Sequence, residues 1–249
     1  MDRLGLPLGI RACLFDLDGV LTETATLHAK AWQKMFDAFL SERARSSGKP
    51  FVPFDVVHDY DLYVDGKPRD EGTRSFLASR GIHLPEGAVG DPPTAQTISG
   101  LGKRKNSILL ASLREQGIEA YPGSVRYLRA VKQAGLRTAV VSSSKNCHEV
   151  LIAAGMAELF DARVDGVVAA EQHLAGKPAP DTYLAAARAV AALPAQAAVF
   201  EDALAGVAAG RAGKFGFVIG VDRVGQAEEL RHHGADLVVT DLAALLEAT

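Results

Sequence analysis

Four short segments carry side chains that could handle a phosphoryl group. The first is Asp16-Leu17-Asp18-Gly19-Val20. Alternate residues leaving a strand end can place two carboxylates around one point, one attacking phosphorus and the other moving a proton. Such close carboxylates repel, so a cation is needed, and hard oxygen ligands suit Mg²⁺. A plain Asx-turn followed by glycine has the same residue types. The second segment, Val141-Ser142-Ser143-Ser144-Lys145-Asn146, offers hydroxyls and a helix start to a phosphate oxygen. Ser and Asn also cap helices for structural reasons. The third, Gly176-Lys177-Pro178-Ala179-Pro180-Asp181, presents Lys177 from a proline-fixed loop, where it could neutralise a carboxylate and an incoming phosphate. The fourth, Phe200-Glu201-Asp202-Ala203-Leu204-Ala205-Gly206, puts two acids directly after an apolar run. Buried there, they are costly unless they meet a cation.

The elements that must position these segments are legible as apolar runs. Ala12 to Phe15 is too short for a helix and ends in the Asp-Leu-Asp-Gly turn, so it reads as a buried strand. Thr138 to Ser142, Ala197 to Asp202, Phe217 to Val221 and Leu237 to Thr240 repeat the pattern, with Val164 to Ala170 less clear. Helical patterns lie between them at Ser124–Ala134, Glu149–Ala154 and Asp181–Ala192; Val125, Leu128 and Val131 mark the inner face of the first. Gly135 and Gly155 stand where helices should stop. Alternating strands and helices predict an α/β fold: a doubly wound parallel sheet, Rossmann-like. In such sheets ligands bind at the carboxyl ends of the strands, so the four segments should converge.

Residues 24–117 break the alternation. Thr22–Leu40, Asp70–Arg80 and Thr94–Gln116 read as helices, Ser41–Pro53 as a polar loop and Gly81–Pro93 as a Gly/Pro-rich link. The expectation is a catalytic core of residues 1–23 and 118–249 with an inserted helical cap domain, 24–117.

Bulk properties narrow the function classes. A net charge of −3, with 6% aromatic residues and 23% charged ones, gives no reason to expect nucleic acid or an anionic membrane as partner. Neither a leader-like N-terminus nor a long apolar span stands out, and Cys13 and Cys147 fit no metal spacing. A cytoplasmic, monomeric enzyme with reduced thiols is the corresponding expectation, without membrane or nucleic-acid partners.

Taken together, LFDLDGVLTET, VVSSSKN, GKPAPD and VFEDALAG resemble the haloacid dehalogenase superfamily of phosphotransferases over nearly the whole chain. Asp18, two residues after the nucleophile position, sets the chain apart from the dehalogenase and phosphonatase branches. HAKAW at His28–Trp32, RKN at Arg104–Asn106 and YPGSVRYL at Tyr121–Leu128 look like the β-phosphoglucomutase family, which interconverts β-glucose 1-phosphate and glucose 6-phosphate through a bisphosphate. By that resemblance Asp16 is the nucleophile and Asp18 the general acid/base, its backbone carbonyl also facing Mg²⁺. Glu201 and Asp202 complete the metal site, and Ser142 and Lys177 hold the transferring phosphoryl. Thr24 is near the hinge, and His28 would couple cap closure to Asp18. Gly66, Arg69, Lys105 and Trp32 match cap-side contacts to a sugar phosphate, and Ser144, Lys145 and Asn146 match the core-side phosphate pocket. An arginine also suits a phosphate on its own chemistry. Two positions depart from the mutase pattern: Asp65, with Lys67 following Gly66, replaces a lysine, and Gly72 replaces a serine. The core motifs alone leave open a sugar-phosphate phosphatase, in which water takes the phosphoryl, and a non-catalytic sugar-phosphate binder on the same fold.

Overall fold

The apolar runs form one parallel sheet in the computed structural model, which describes residues 3–247. The outermost residues of the expected core domain, 1, 2, 248 and 249, lie outside the described residues. The strands are β1 (Ala12–Phe15), β2 (Arg137–Val141), β3 (Ala162–Val164), β4 (Ala197–Glu201), β5 (Phe217–Val221) and β6 (Leu237–Val239). Their order is β3-β2-β1-β4-β5-β6, with every described pairing parallel. The order reverses between β1 and β4, which is the switch point where a doubly wound sheet opens a crevice. Register decides what reaches that crevice. Phe15 pairs with both Val140 and Phe200, so Asp16, Val141 and Glu201 emerge at one level, followed by Ser142 and Asp202.

Two compact units make up the chain, residues 1–23 with 118–249, and residues 24–117. In the second unit, α1 (Ala25–Ser47), a five-residue π-helical turn (Tyr60–Val64), α2 (Arg69–Ser79) and α3 (Ile98–Gln116) surround an aromatic core. Leu27, Ala31, Met35 and Phe39, spaced four apart on α1, are buried on one face. Phe76 packs 4.2 Å from Phe36 and 4.9 Å from Phe54, ring centre to ring centre. No strand falls within this unit among the described residues.

The first unit wraps its sheet with α4 (Pro122–Gln133), α5 (Cys147–Ala153), α6 (Gly166–Glu171), α7 (Asp181–Ala189), α8 (Leu204–Ala212), α9 (Ala227–His233) and α10 (Ala244–Glu247). β1 and β4 are buried throughout, and Phe15 stacks on Phe200 at 4.4 Å. Each such ring contributes roughly 1.5–3 kcal/mol by leaving water.

Three expectations need correction. The polar loop over Ser41–Pro53 is helical as far as Ser47, because α1 runs on through good helix formers and stops only at Gly48, left-handed at φ 69°. Val164–Ala170 is not one strand: Asp165 ends β3, accepts the N–H groups of Val167 and Val168, and starts α6. On α4, Tyr127 and Ser124 are buried where Val125 is only partly so. No described helix is long and apolar enough to cross a membrane.

Candidate active site

Asp16 leaves β1 with its backbone N–H bonded to the Phe200 carbonyl at 2.9 Å, which ties the nucleophile position to the end of β4. Its carboxylate meets the ammonium of Lys177, and the same ammonium meets Glu201. Lys177 is 1% exposed and Glu201 is fully buried, so these charges face each other away from water. A second oxygen of Glu201 accepts the Ala203 N–H at 3.0 Å. Gly206 makes room for this turn, since a Cβ there would fall on the Glu201 carboxylate. Asp202 is buried beside Gly19, and a Cβ on Gly19 would strike the Asp202 carboxylate. Glycine answers both that contact and a φ of 92°.

The charges do not balance inside this cluster. Burial works against the Lys177 ammonium, but Asp16 and Glu201 together outweigh it and hold its pKa above the usual lysine value. For Asp16 burial dominates and raises the carboxyl well above the usual range; Lys177 pulls down, while Glu201 and Asp18 push up again. One ammonium is shared between two acids, and Glu201 has the Tyr183 hydroxyl and the Ala203 N–H besides.

Ser142, 2% exposed, follows β2, and its hydroxyl accepts the Ser144 N–H at 3.1 Å. The Ser144 hydroxyl in turn accepts the Asn146 N–H at 3.1 Å. These nested turns leave Lys145 exposed at the loop tip. Asp18 is partly buried, and its loop closes through the Gly19 N–H to the Thr22 carbonyl at 2.8 Å.

The helical unit gathers a second set. His28 and Trp32 lie one turn apart on α1, and buried Lys105 reaches them from α3. Lys105 Nζ is 3.1 Å from His28 Nδ1 and 5.0 Å from the centre of the Trp32 ring. Arg69 opens α2, after the turn at Gly66 (φ 67°). Its Nε is buried and has no hydrogen-bond partner among the described residues. Gly102 on α3 leaves space for it: a Cβ there would come within 3.3 Å of Arg69 Nε. Lys67 folds back onto the Leu62 carbonyl at 3.0 Å and the Ser75 hydroxyl at 3.3 Å. Gly72 has its missing Cβ position 3.3 Å from Val64 and 3.4 Å from Trp32, so packing fills the place of a side chain.

Residues 10–214 match the family described as haloacid dehalogenase-like hydrolase. The chain belongs to that family. A β-phosphoglucomutase of Mycobacterium bovis is 58% identical over 246 residues, 98% of this chain and 94% of that protein. A β-phosphoglucomutase of Bacillus subtilis is 31% identical, over 95% of this chain and 92% of that one. The crystal structure of a β-phosphoglucomutase from Clostridium difficile superposes with a TM-score of 0.73 at 27% identity, covering 95% and 93% of the two chains.

Members of the haloacid dehalogenase-like family imply a divalent cation, and the acids here fit one. Oxygens of Asp16, Glu201 and Asp202 lie within 4.8 Å of one another, all buried. An all-carboxylate, excess-negative donor set suits a hard cation. The cluster holds the carboxylates of these three; Asp18 was expected to offer its backbone carbonyl.

Sequence reasoning missed Tyr183. From α7 its hydroxyl donates to Glu201 at 2.9 Å, and its ring lies 5.1 Å from Lys177 Nζ. Burial first, then the Glu201 charge, raises the phenol's pKa, so it stays protonated and keeps donating. The available signal was one polar-tipped aromatic in an alanine-rich helix close behind Lys177. Cys147 is buried near the same loops, and burial first holds its thiol far above the usual range. It is therefore an inert thiol rather than a nucleophile.

Proposed function

We propose that the chain is a β-phosphoglucomutase that interconverts β-glucose 1-phosphate and glucose 6-phosphate through Asp16 and a glucose 1,6-bisphosphate. The observation that carries this reading is the 58% identity to a β-phosphoglucomutase across both units, 98% of the chain. That similarity spans the helical unit, which would recognise the sugar, as well as the catalytic core.

In the reaction, an Asp16 carboxylate oxygen forms a bond to phosphorus as the bond from phosphorus to a sugar oxygen breaks. Asp18 gives that departing oxygen a proton. The bisphosphate is regenerated when a sugar hydroxyl attacks the phosphoryl on Asp16, the bond from phosphorus to the Asp16 oxygen breaks to free its carboxylate, and the hydroxyl returns its proton to Asp18. Lys177 spans Asp16 and Glu201 and fixes the attacking oxygen, while Tyr183 and the Ala203 N–H fix Glu201. Ser142 and the Ser144–Asn146 turns supply hydroxyl and amide donors to phosphate oxygens. Asp16, Glu201, Asp202 and the Asp18 carbonyl would hold Mg²⁺, which would offset the charge of the carboxylates and of the transferring group. In the helical unit Arg69 grips the phosphate that is not being transferred, with Gly66, while Trp32, Lys105 and His28 meet the sugar.

The test is to incubate the protein with β-glucose 1-phosphate, Mg²⁺ and a trace of glucose 1,6-bisphosphate, following products by ³¹P NMR. Glucose 6-phosphate without release of inorganic phosphate is expected. Stoichiometric phosphate release with no isomer would replace the mutase by a hydrolase.

A further inference from the structure

The loop after β5 reaches both sides of the acidic cluster. It is a rigid loop: Asp222 Oδ1 accepts the N–H groups of Val224 at 3.2 Å, Gly225 at 2.7 Å and Gln226 at 2.9 Å. Its start is pinned to β6 by the Asp222 N–H to the Val239 carbonyl at 2.8 Å. From it Arg223 sends Nε to the Gly19 carbonyl at 2.7 Å, Nη1 to the Thr240 carbonyl at 2.9 Å and Nη2 toward the Val20 carbonyl at 3.4 Å. The guanidinium carbon lies over the Tyr121 ring, 3.6 Å from its centre, and the side chain is 16% exposed. Three residues on, Gln226 Nε2 donates to the Asp202 carbonyl at 3.1 Å.

These bonds fall where the sheet can no longer help. The β1–β4 ladder ends with Asp16 on Phe200, and beyond it the two chains carrying Asp18 and Asp202 leave the sheet. Gly19 and Asp202 nevertheless stay in close contact. The Ser124 hydroxyl also holds the first of these main chains, donating to the Val20 carbonyl at 2.6 Å, but Arg223 on one and Gln226 on the other reach both from one short loop. A surface arginine serving only solubility would not spend three donors on backbone carbonyls and its face on a ring.

We propose that Arg223 and Gln226 are positioning residues that set the separation between the Asp18–Gly19 and Asp202 main chains, and so tune how tightly the cluster holds a divalent cation and how Asp18 meets the transferring oxygen. This rests on the cation and acid/base roles given above. Neither residue touches substrate. Both act through the backbone, Gln226 at the cation-holding Asp202 and Arg223 at Gly19 beside the proton-moving Asp18, as outer-shell partners of metal ligands do elsewhere.

The experiment measures Mg²⁺ affinity by isothermal titration calorimetry for wild type, Arg223→Met, Arg223→Lys, Gln226→Leu and Asp202→Asn, with kcat and KM alongside. Arg223→Met and Gln226→Leu should each weaken Mg²⁺ binding about tenfold, the scale of lost outer-shell partners. They should lower kcat similarly and leave KM for β-glucose 1-phosphate within about twofold. Arg223→Lys, which keeps one donor, should recover part of the loss. A variant carrying both Arg223→Met and Gln226→Leu, titrated the same way, should lose less than the product of the two single losses, because both act on one spacing. Unchanged Mg²⁺ affinity and kcat in both single variants, with only a lower melting temperature, would overturn the proposal and leave a purely structural brace. Wild-type Mg²⁺ binding that survives Asp202→Asn would instead overturn the cation site, and the proposal with it.

Discussion

At the ends of β1 and β4, Lys177 is bonded to Asp16 and Glu201, and Glu201 also takes a hydroxyl and an amide. In the helical unit, Arg69 keeps a buried Nε with no partner among the described residues. A buried donor left unsatisfied costs about 1–3 kcal/mol, which a bound anion can return. On the proposed function, the first region is assembled before substrate arrives, and the second is finished by the ligand. Chemistry that passes through a covalent intermediate gains from the first arrangement. Recognition of a substrate that presents either of two phosphates gains from the second.

Breaking the first region should have the largest effect. Asp16→Asn removes the attacking oxygen's charge, and turnover should fall on the order of 10⁴-fold or more, as for loss of a covalent nucleophile elsewhere. Acid-quenched protein from a reaction with radiolabelled glucose 1,6-bisphosphate should carry label in wild type and none in the variant. Turnover within a hundredfold of wild type would remove Asp16 from the covalent role.

The contrast also concerns stability, and there the two basic residues should part. Lys177→Met strands two buried carboxylates, which by analogy with broken buried ion pairs costs about 3–5 kcal/mol. Arg69→Met removes a donor that is already unsatisfied, so the cost should stay under about 1 kcal/mol. Urea unfolding in EDTA measures both. On activity, Arg69→Met should lower kcat/KM about 10- to 100-fold, the value of lost charge-assisted bonds to phosphate. Equal stability losses would show that the two regions are built alike.

The sequence announces the first region because its acids follow apolar runs, and parallel register carries Asp16, Ser142, Glu201 and Asp202 to one edge. Lys177 is legible for a similar reason, since prolines fix its loop. Tyr183, Arg223 and Gln226 are not legible this way. Their partners are distant in the chain, as with Arg223 and Gly19, and an arginine in a polar loop looks like any surface charge. The end of α1 is hidden because Ser41–Ser47 has no apolar period, and only the left-handed Gly48 marks it. The Asp165 break between β3 and α6 is hidden inside a run of valines and alanines that suits either structure. The π-helical turn before Gly66 has no period to read.

Asp161, at the far end of β2 and β3 from the cluster, sharpens the comparison at its small end. It is a carboxylate with ample partners and no chemistry. It accepts the Thr138 N–H at 2.8 Å and the Thr138 hydroxyl at 3.2 Å, with Lys132 at 3.8 Å and Arg137 at 3.7 Å. Burial pushes its pKa up, but the Thr138 amide, Lys132, the Thr138 hydroxyl and Arg137 outweigh it, so the folded value lies below the ordinary one. A lowered folded pKa means the stabilisation is present above the unfolded value, about 3.9, and is lost as pH falls through the folded value. Asp161→Asn should therefore cost roughly 1 kcal/mol at neutral pH, shrinking toward nothing as pH falls through the folded value and the wild-type carboxyl protonates. Urea unfolding across that range measures it, and kcat at pH 7 should stay within about twofold. A pH-independent difference would mean that lost packing, rather than the carboxylate's charge, accounts for the cost. Asp16 lies at the opposite, carboxyl end of the sheet, after β1, with its pKa moved in the opposite direction, because there burial and the neighbouring Glu201 and Asp18 outweigh the shared Lys177 ammonium.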